Sequence, residues 1–212
     1  GAAIGVDICA ALLTRARERA EALLVDAEFR NSDAATFDHE GGFDLVVSRF
    51  GVMFFADPVA AFANLYRLAS PGGRLCFACW QSASENPWAT LPMHALASLL
   101  PEAPAADPLA PGPFAFADPE YVRGVLSAAG WRDIVFDELL FSMVIGVGKA
   151  ALAEAVQFNL RIGPAARAVR DAGALAEASA PDLLAKALAP YRTSEGVSLP
   201  GAAWLVLARA DA

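Results

Sequence analysis

The sequence is poor in the residues from which most redox, metal and nucleophilic sites are built. It has three cysteines, Cys9, Cys76 and Cys79, and two histidines, His39 and His94. So sparse and odd a cysteine set excludes a disulfide-built fold and fits a reducing compartment, so the expected location is the cytoplasm. Cys76 and Cys79 form a C-x-x-C in GGRLCFACW, but no second pair or nearby histidine completes a zinc site. Residues three apart on a strand point to opposite faces, so the pair is read as structural and no metal is expected. No apolar run approaches the ~20 residues of a membrane helix, which excludes stable membrane insertion as an expectation. An excess of basic charge is also missing. Sixteen Lys and Arg stand against 24 Asp and Glu, and the net charge of -8 disfavours a nucleic-acid backbone as partner. No basic segment with a cleavage site opens the chain, so a secretory leader is not expected.

What is present is the alternation of an α/β protein. With 56% hydrophobic residues, the 212-residue chain can bury one sizeable core, or a core and a small cap. Residues Ala3 to Asp7 read as a buried strand and Ala10 to Leu24 as a helix, with Leu12, Leu13, Ala16, Ala20, Leu23 and Leu24 on one face. EFRNSDA is a short strand ending on Asp33, although the join at LLVDAEF is tight for a helix-to-strand connection. FDLVVSRF is a continuous apolar run of strand length. Asp57-Pro58 opens a helix as N-cap and first-turn proline, with Val59, Phe62, Ala63 and Tyr66 as its buried stripe, and SPGG stops it before the strand RLCFACW. Short joins between strand and helix imply a Rossmann-like, mostly parallel sheet with crossover helices.

After Trp80 the pattern breaks. Residues 81–116 carry much of the proline and read as an irregular cap. Asp118-Pro119 opens a further helix, with Val122, Val125, Leu126 and Ala129 inward and Gly130 at its end. WRDIVFDELLF is a strand, a helical stretch runs from about Lys149 to Ala189, and AAWLVLARA closes the chain as an antiparallel last strand. The expected division is a core of 1–80, 117–140 and 201–212, with 81–116 and 141–200 as cap and insert segments over an acceptor site.

In open parallel sheets, ligands bind beyond the carboxyl ends of the strands. Asp7, at the first such end, offers two acceptor oxygens suited to a pair of ribose hydroxyls. Asp33 could accept from an exocyclic amine such as adenine's. Ser48, Arg49 and Phe50 end the third strand, nearest the expected reaction centre. Met53, Phe54, Phe55, Trp80, Trp88 and Phe114 would line an apolar acceptor pocket. His94, in the cap, is the candidate base, whereas His39, in a polar HEGG turn, is read as solvated.

GVDICAALLTRARERAE, SDAATFDHEGGFDLVVSRFGVMFFADPVAAFANLYRLASPGGRLCFACW and ADPEYVRGVLSAAGWRDIVFDE together resemble the class I S-adenosylmethionine-dependent methyltransferases, nearest the quinone-biosynthesis C-methyltransferases. The resemblance implies S-adenosylmethionine as cofactor and methyl transfer to a small, apolar or aromatic acceptor. It places Asp7 on the ribose hydroxyls, Ile8 against the adenine ring, Asp33 on the adenine amino group with the Ala34 backbone beside it, and Ser48 and Arg49 beside the methionine part. Cys9 stands where the family commonly has serine. The family's glycine-rich motif has no counterpart, and a preceding strand and glycine loop outside this sequence are the expectation. Two other readings are a nicotinamide-dinucleotide oxidoreductase, since an acid after the second strand also binds the NAD ribose, and a non-catalytic methyltransferase-like scaffold, for which a homodimer would fit.

Overall fold

The computed structural model describes residues 2–40, 42–101 and 107–211, so part of the proline-rich segment, residues 102–106, lies outside the described residues. The chain divides into two compact units. The first comprises residues 1–77, 119–135 and 206–212, the second residues 78–118 and 136–205.

In the first unit, β1 (Ile4–Asp7) and β2 (Glu28–Asn31) pair in parallel, with Ile4 opposite Glu28 and Asp7 opposite Asn31. Helix α1 (Ala10–Ala22) makes the crossover. The connection at LLVDAEF is long enough because Leu24 takes a left-handed φ of 53°, which turns the chain back within a few residues. The inward face expected of α1 is not all inward. Leu13 is buried, whereas Leu12, Leu23 and Leu24 are exposed.

β3 (Phe43–Arg49), α2 (Pro58–Leu68) and β4 (Ala69–Trp80) form the next strand-helix-strand unit. Asp57 caps α2, its Oδ1 accepting from the Ala60 N–H at 3.0 Å. The buried stripe of α2 is Ala61, Phe62, Leu65 and Leu68, while Val59 and Ala63 face solvent and Tyr66 is half-buried. The expected stripe was rotated away from this one because both fit helical periodicity, and packing partners choose between them. SPGG falls inside β4 rather than before it, since the residue ahead of Pro71 is held extended and the helix passes directly into the strand.

The sheet order is β3-β4-β6-β5, with β5 spanning Arg132–Val147 and β6 Gly196–Arg209. The Gly72 N–H donates to Asp211 O and the Ala210 N–H to Gly73 O, both at 2.8 Å, and the Gln81 N–H donates to Ala202 O at 3.0 Å. Residue numbers fall along β6 as they rise along β4, so the pair is antiparallel. The parallel elements are thus divided. β1 and β2 form their own two-stranded sheet instead of extending the four-stranded one.

The core of the first unit is aromatic. Phe62 packs on Phe55 and Phe77, with ring centroids 5.8 and 5.5 Å apart. Helix α4 (Pro119–Ala128) buries Val122, Val125 and Leu126, as its sequence pattern requires. Trp131, fully buried just before β5, donates its indole N–H to Phe62 O at 3.0 Å and meets Tyr66 edge-on at 5.4 Å.

The second unit contains α3 (Pro87–Ala95) and α5 (Ala151–Arg161), α6 (Pro164–Ala172) and α7 (Ala174–Leu188). The single helical stretch expected over 149–189 is cut at Gly163 and Gly173, whose φ values of 89° and 85° suit glycine alone without strain. Ala155, Ala165, Ala176 and Ala180 are buried where these helices pack, around Leu184, Leu188, Val197 and Leu199. Small side chains let the helix axes approach closely, which is what the alanine enrichment accomplishes. The segment expected to be irregular holds α3, with Trp88 and Ala89 buried.

Cys79 is buried, and burial pushes its thiol pKa up to about 12. Cys9 is exposed. In native protein at neutral pH, a thiol-selective alkylating reagent is expected to modify Cys9 and leave Cys79 intact, read by peptide mass. Trp131→Ala is expected to cost about 3–5 kcal/mol in chemical denaturation through the large buried void it opens.

Candidate functional site

The first strand end is built by the β1–β2 register. Asn31 Nδ2 donates to Asp7 O at 2.9 Å and the Ser32 N–H donates to the same carbonyl at 3.2 Å. The backbone of Asp7 is therefore spent on the neighbouring strand. Its carboxylate points onward, where Oδ1 accepts from the Cys9 N–H at 2.7 Å, in the turn that starts α1. Among the described residues no further protein donor binds this carboxylate, so one oxygen remains to accept from a ligand. Ile8, the next residue, is 75% exposed. An exposed isoleucine beside a half-buried carboxylate suits the flat face and the hydroxyl edge of a nucleoside.

Asp33 lies two residues beyond β2, in a turn rather than on the strand itself. Its Oδ1 accepts from the Ala35 N–H at 2.8 Å and its carbonyl from the Thr36 N–H at 3.1 Å. Such a turn fixes the carboxyl group against its own backbone and leaves the second oxygen outward. Because Ser32 binds Asp7 O, the Asp33 turn starts directly beside the tip of β1. The structure thus brings Asp7, Ile8, Asp33 and Ala34 to one strand edge.

Ser48 and Arg49 close β3, and Arg49 is exposed with no ion pair among the described residues. Among the described residues, no hydrogen bond joins either side chain to the Asp7 edge. Phe50 follows with φ 57°, a left-handed conformation that costs a non-glycine residue about 1 kcal/mol or more. It reverses the strand into a short 3₁₀ turn, Val52–Phe54, that sinks Met53 into the core at 1% exposure and leaves Phe54 at 54%. Met53 therefore packs within its unit, and Phe54 presents its ring to solvent.

Trp80 and Trp88, expected on the acceptor side, belong to the second unit and touch there. Their ring centroids are 4.7 Å apart, with Phe141 6.0 Å from Trp80 and Phe114 6.1 Å from Trp88. His94 is exposed at the end of α3. His39 is not solvated as its polar turn implied. It is half-buried between Phe37 and Phe43, with centroids at 6.2 and 5.0 Å, because those phenylalanines flank it once β3 forms. No group of residues among those described could hold a metal ion.

Two asparagines escaped the sequence reading. Asn86 is fully buried. Its amide donates to the carbonyls of Gln81, Ser82 and Ala202, while its Oδ1 accepts from the Trp88 indole and the Ala202 N–H, both at 3.0 Å. Asn64, on α2, donates to Ala34 O at 3.2 Å and Phe37 O at 2.9 Å. The signal for Asn86 was ENPW, a capping residue before a proline and an aromatic. For Asn64, inside a helix, the sequence carried no signal, because its partners lie 30 and 27 residues away.

Residues 1–77 match the family described as Methyltransferase domain. A demethylmenaquinone methyltransferase of Thermus thermophilus is 40% identical over 73 residues, covering 34% of this chain and 33% of that protein. The aligned stretch thus spans about a third of the length of the curated relatives it matches. Among solved structures, a Bacillus halodurans protein named provisionally as a methyltransferase superposes with a TM-score of 0.58 at 14% identity, over 100% of this chain and 84% of that one. Phosphoethanolamine N-methyltransferase 2 of Haemonchus contortus, in complex with S-adenosylmethionine, gives 0.52 at 15% identity, over 99% of this chain and 43% of that one. At these identities the structural likeness shows the fold alone, a Rossmann-like α/β architecture.

Asn86→Ala is expected to lower stability by about 3 kcal/mol, since it strands the buried Trp88 indole and Ala202 N–H groups that its Oδ1 accepts from. Denaturant unfolding followed by tryptophan emission checks this.

Proposed function

We propose, on the premise that residues 1–77 belong to the class I S-adenosylmethionine-dependent methyltransferases, that this chain transfers a methyl group to a small apolar or aromatic acceptor. The observation that carries the reading is the β1–β2 register, which sets the free oxygen of Asp7 beside the Asp33 turn at one strand edge. That edge fits an adenosine moiety. Asp7 would accept from the ribose hydroxyls, Ile8 would lie on the base, and Asp33 would accept from the exocyclic amine beside the Ala34 backbone. Ser48 and Arg49 would flank the methionine part.

When bound, S-adenosylmethionine supplies an electrophilic methyl group on a sulfonium. The chain's own contribution is then to orient the acceptor atom and keep water away. Phe50 and Phe54 offer aromatic surface in the first unit. In the second unit the half-buried Trp80 packs on the buried Trp88, so Trp80 is the ring of that pair that can meet an aromatic or quinol-like acceptor. Relatives named for quinone methylation support that class. His94, exposed on α3, could take a proton from an acceptor hydroxyl.

S-adenosylhomocysteine is expected to raise the melting temperature and NAD to leave it unchanged; a shift with NAD alone would reject this reading. Asp7→Asn keeps one acceptor for the Cys9 N–H but removes the charge. Calorimetry should show S-adenosylhomocysteine bound about tenfold more weakly or worse, with the unliganded melting temperature nearly unchanged.

A further inference from the structure

The Asp33 turn has no sheet partner of its own, yet its backbone is anchored. The two hydrogens of the Asn64 amide meet two carbonyl oxygens, Ala34 O at 3.2 Å and Phe37 O at 2.9 Å, so each donor has one acceptor. On the other side, Asn64 Oδ1 accepts from Arg67 at 3.0 Å, and Arg67 also bonds to Asp38 at 2.9 Å. The chain from Ala34 to Asp38 is thereby tied to one face of α2 at three points. Asp33 itself is closed onto Ala35 and Thr36. Its free oxygen can hold one direction only as long as the turn as a whole does not rotate. Asn64 supplies that restraint, since the Arg67–Asp38 pair is exposed on both sides and contributes little.

We propose that Asn64 is a positioning residue for base recognition: by clamping Ala34 and Phe37 to α2 it aims the Asp33 carboxylate and so sets discrimination for an amino over an oxo group on the purine. This rests on the reading of the site as one for an adenosine-containing cofactor. Asn64 touches no ligand. It acts through the backbone on either side of the recognising residues, and a carboxylate accepts from an amine but repels a carbonyl oxygen.

The test uses the full chain, with S-adenosylhomocysteine and S-inosylhomocysteine as probes in calorimetry, on wild type, Asn64→Ala and Asn64→Asp. Asn64→Asp keeps the size and the Arg67 contact but has no amide donor. Wild type should prefer the adenine compound by about tenfold or more. Both variants should lose most of that preference, with the inosine compound bound nearly as in wild type. A variant that binds both probes more weakly but keeps the wild-type ratio overturns the proposal, because a merely structural residue would act so. Amide hydrogen exchange at Ala35 and Thr36, measured without ligand, should speed up several-fold in both variants; unchanged exchange also overturns it. If wild type binds neither probe, the cofactor reading of the site fails, and the exchange rates alone then decide whether Asn64 holds the turn.

Discussion

The C-terminal strand β6 is the constraint on which the four-stranded sheet depends. A strand's N–H and C=O groups must find partners, and β6 is the sheet neighbour of both β4 and β5. Hydrogen bonds between Gly72 and Asp211, Gly73 and Ala210, and Gln81 and Ala202 mark the two ends of its pairing with β4. Val197, Leu199, Ala203 and Val206 on β6 are completely buried, so the strand is also an apolar centre. Asn86 uses the same strand as an anchor, since two of its bonds run to Ala202, one to its carbonyl and one from its N–H. The last residues of the chain therefore order the loop that follows β4.

At the other end of the chain, the same hydrogen-bond demand produces the candidate site. Asp7 closes β1, and its carbonyl is taken by Asn31 and Ser32 of the parallel neighbour. What is left over at the strand's carboxyl end is a side chain with acceptor capacity. The turn carrying Asp33 begins on the residue that binds Asp7, so the two carboxylates arrive together for a backbone reason.

Much of this was legible in one dimension. Asp57-Pro58 and Asp118-Pro119 marked helix starts, the inward face of α4 followed its 3.6-residue period, and the apolar runs marked β3, β4, β5 and β6. Asp7 and Arg49 stood at recognisable strand ends, whereas Asp33 lies in the turn after β2. Other features were illegible for identifiable reasons. The inward faces of α1 and α2 were ambiguous because alanine and leucine occur on more than one side, and only the partner surface selects a side. His39 sat in a polar tetrapeptide, but its environment is made by Phe37 and Phe43. Met53 and Phe54 are adjacent and similar in hydrophobicity, yet the left-handed φ at Phe50 and the turn after it send one inward and the other out.

The sequence by itself determined the class of fold, the strands and the capped helices α2 and α4, and the residue types available at the strand ends. Periodicity, capping residues and strand-length apolar runs are local properties, and they survive without knowledge of neighbours. The tertiary structure alone decided that β6 lies between β4 and β5, that the Asp33 turn starts beside the end of β1, and that Asn64 and Asn86 tie down the loops around them. Those outcomes rest on hydrogen bonds between residues 24 to 139 positions apart. Their partners are chosen by backbone groups left unsatisfied after the local elements form, and no local pattern records that choice.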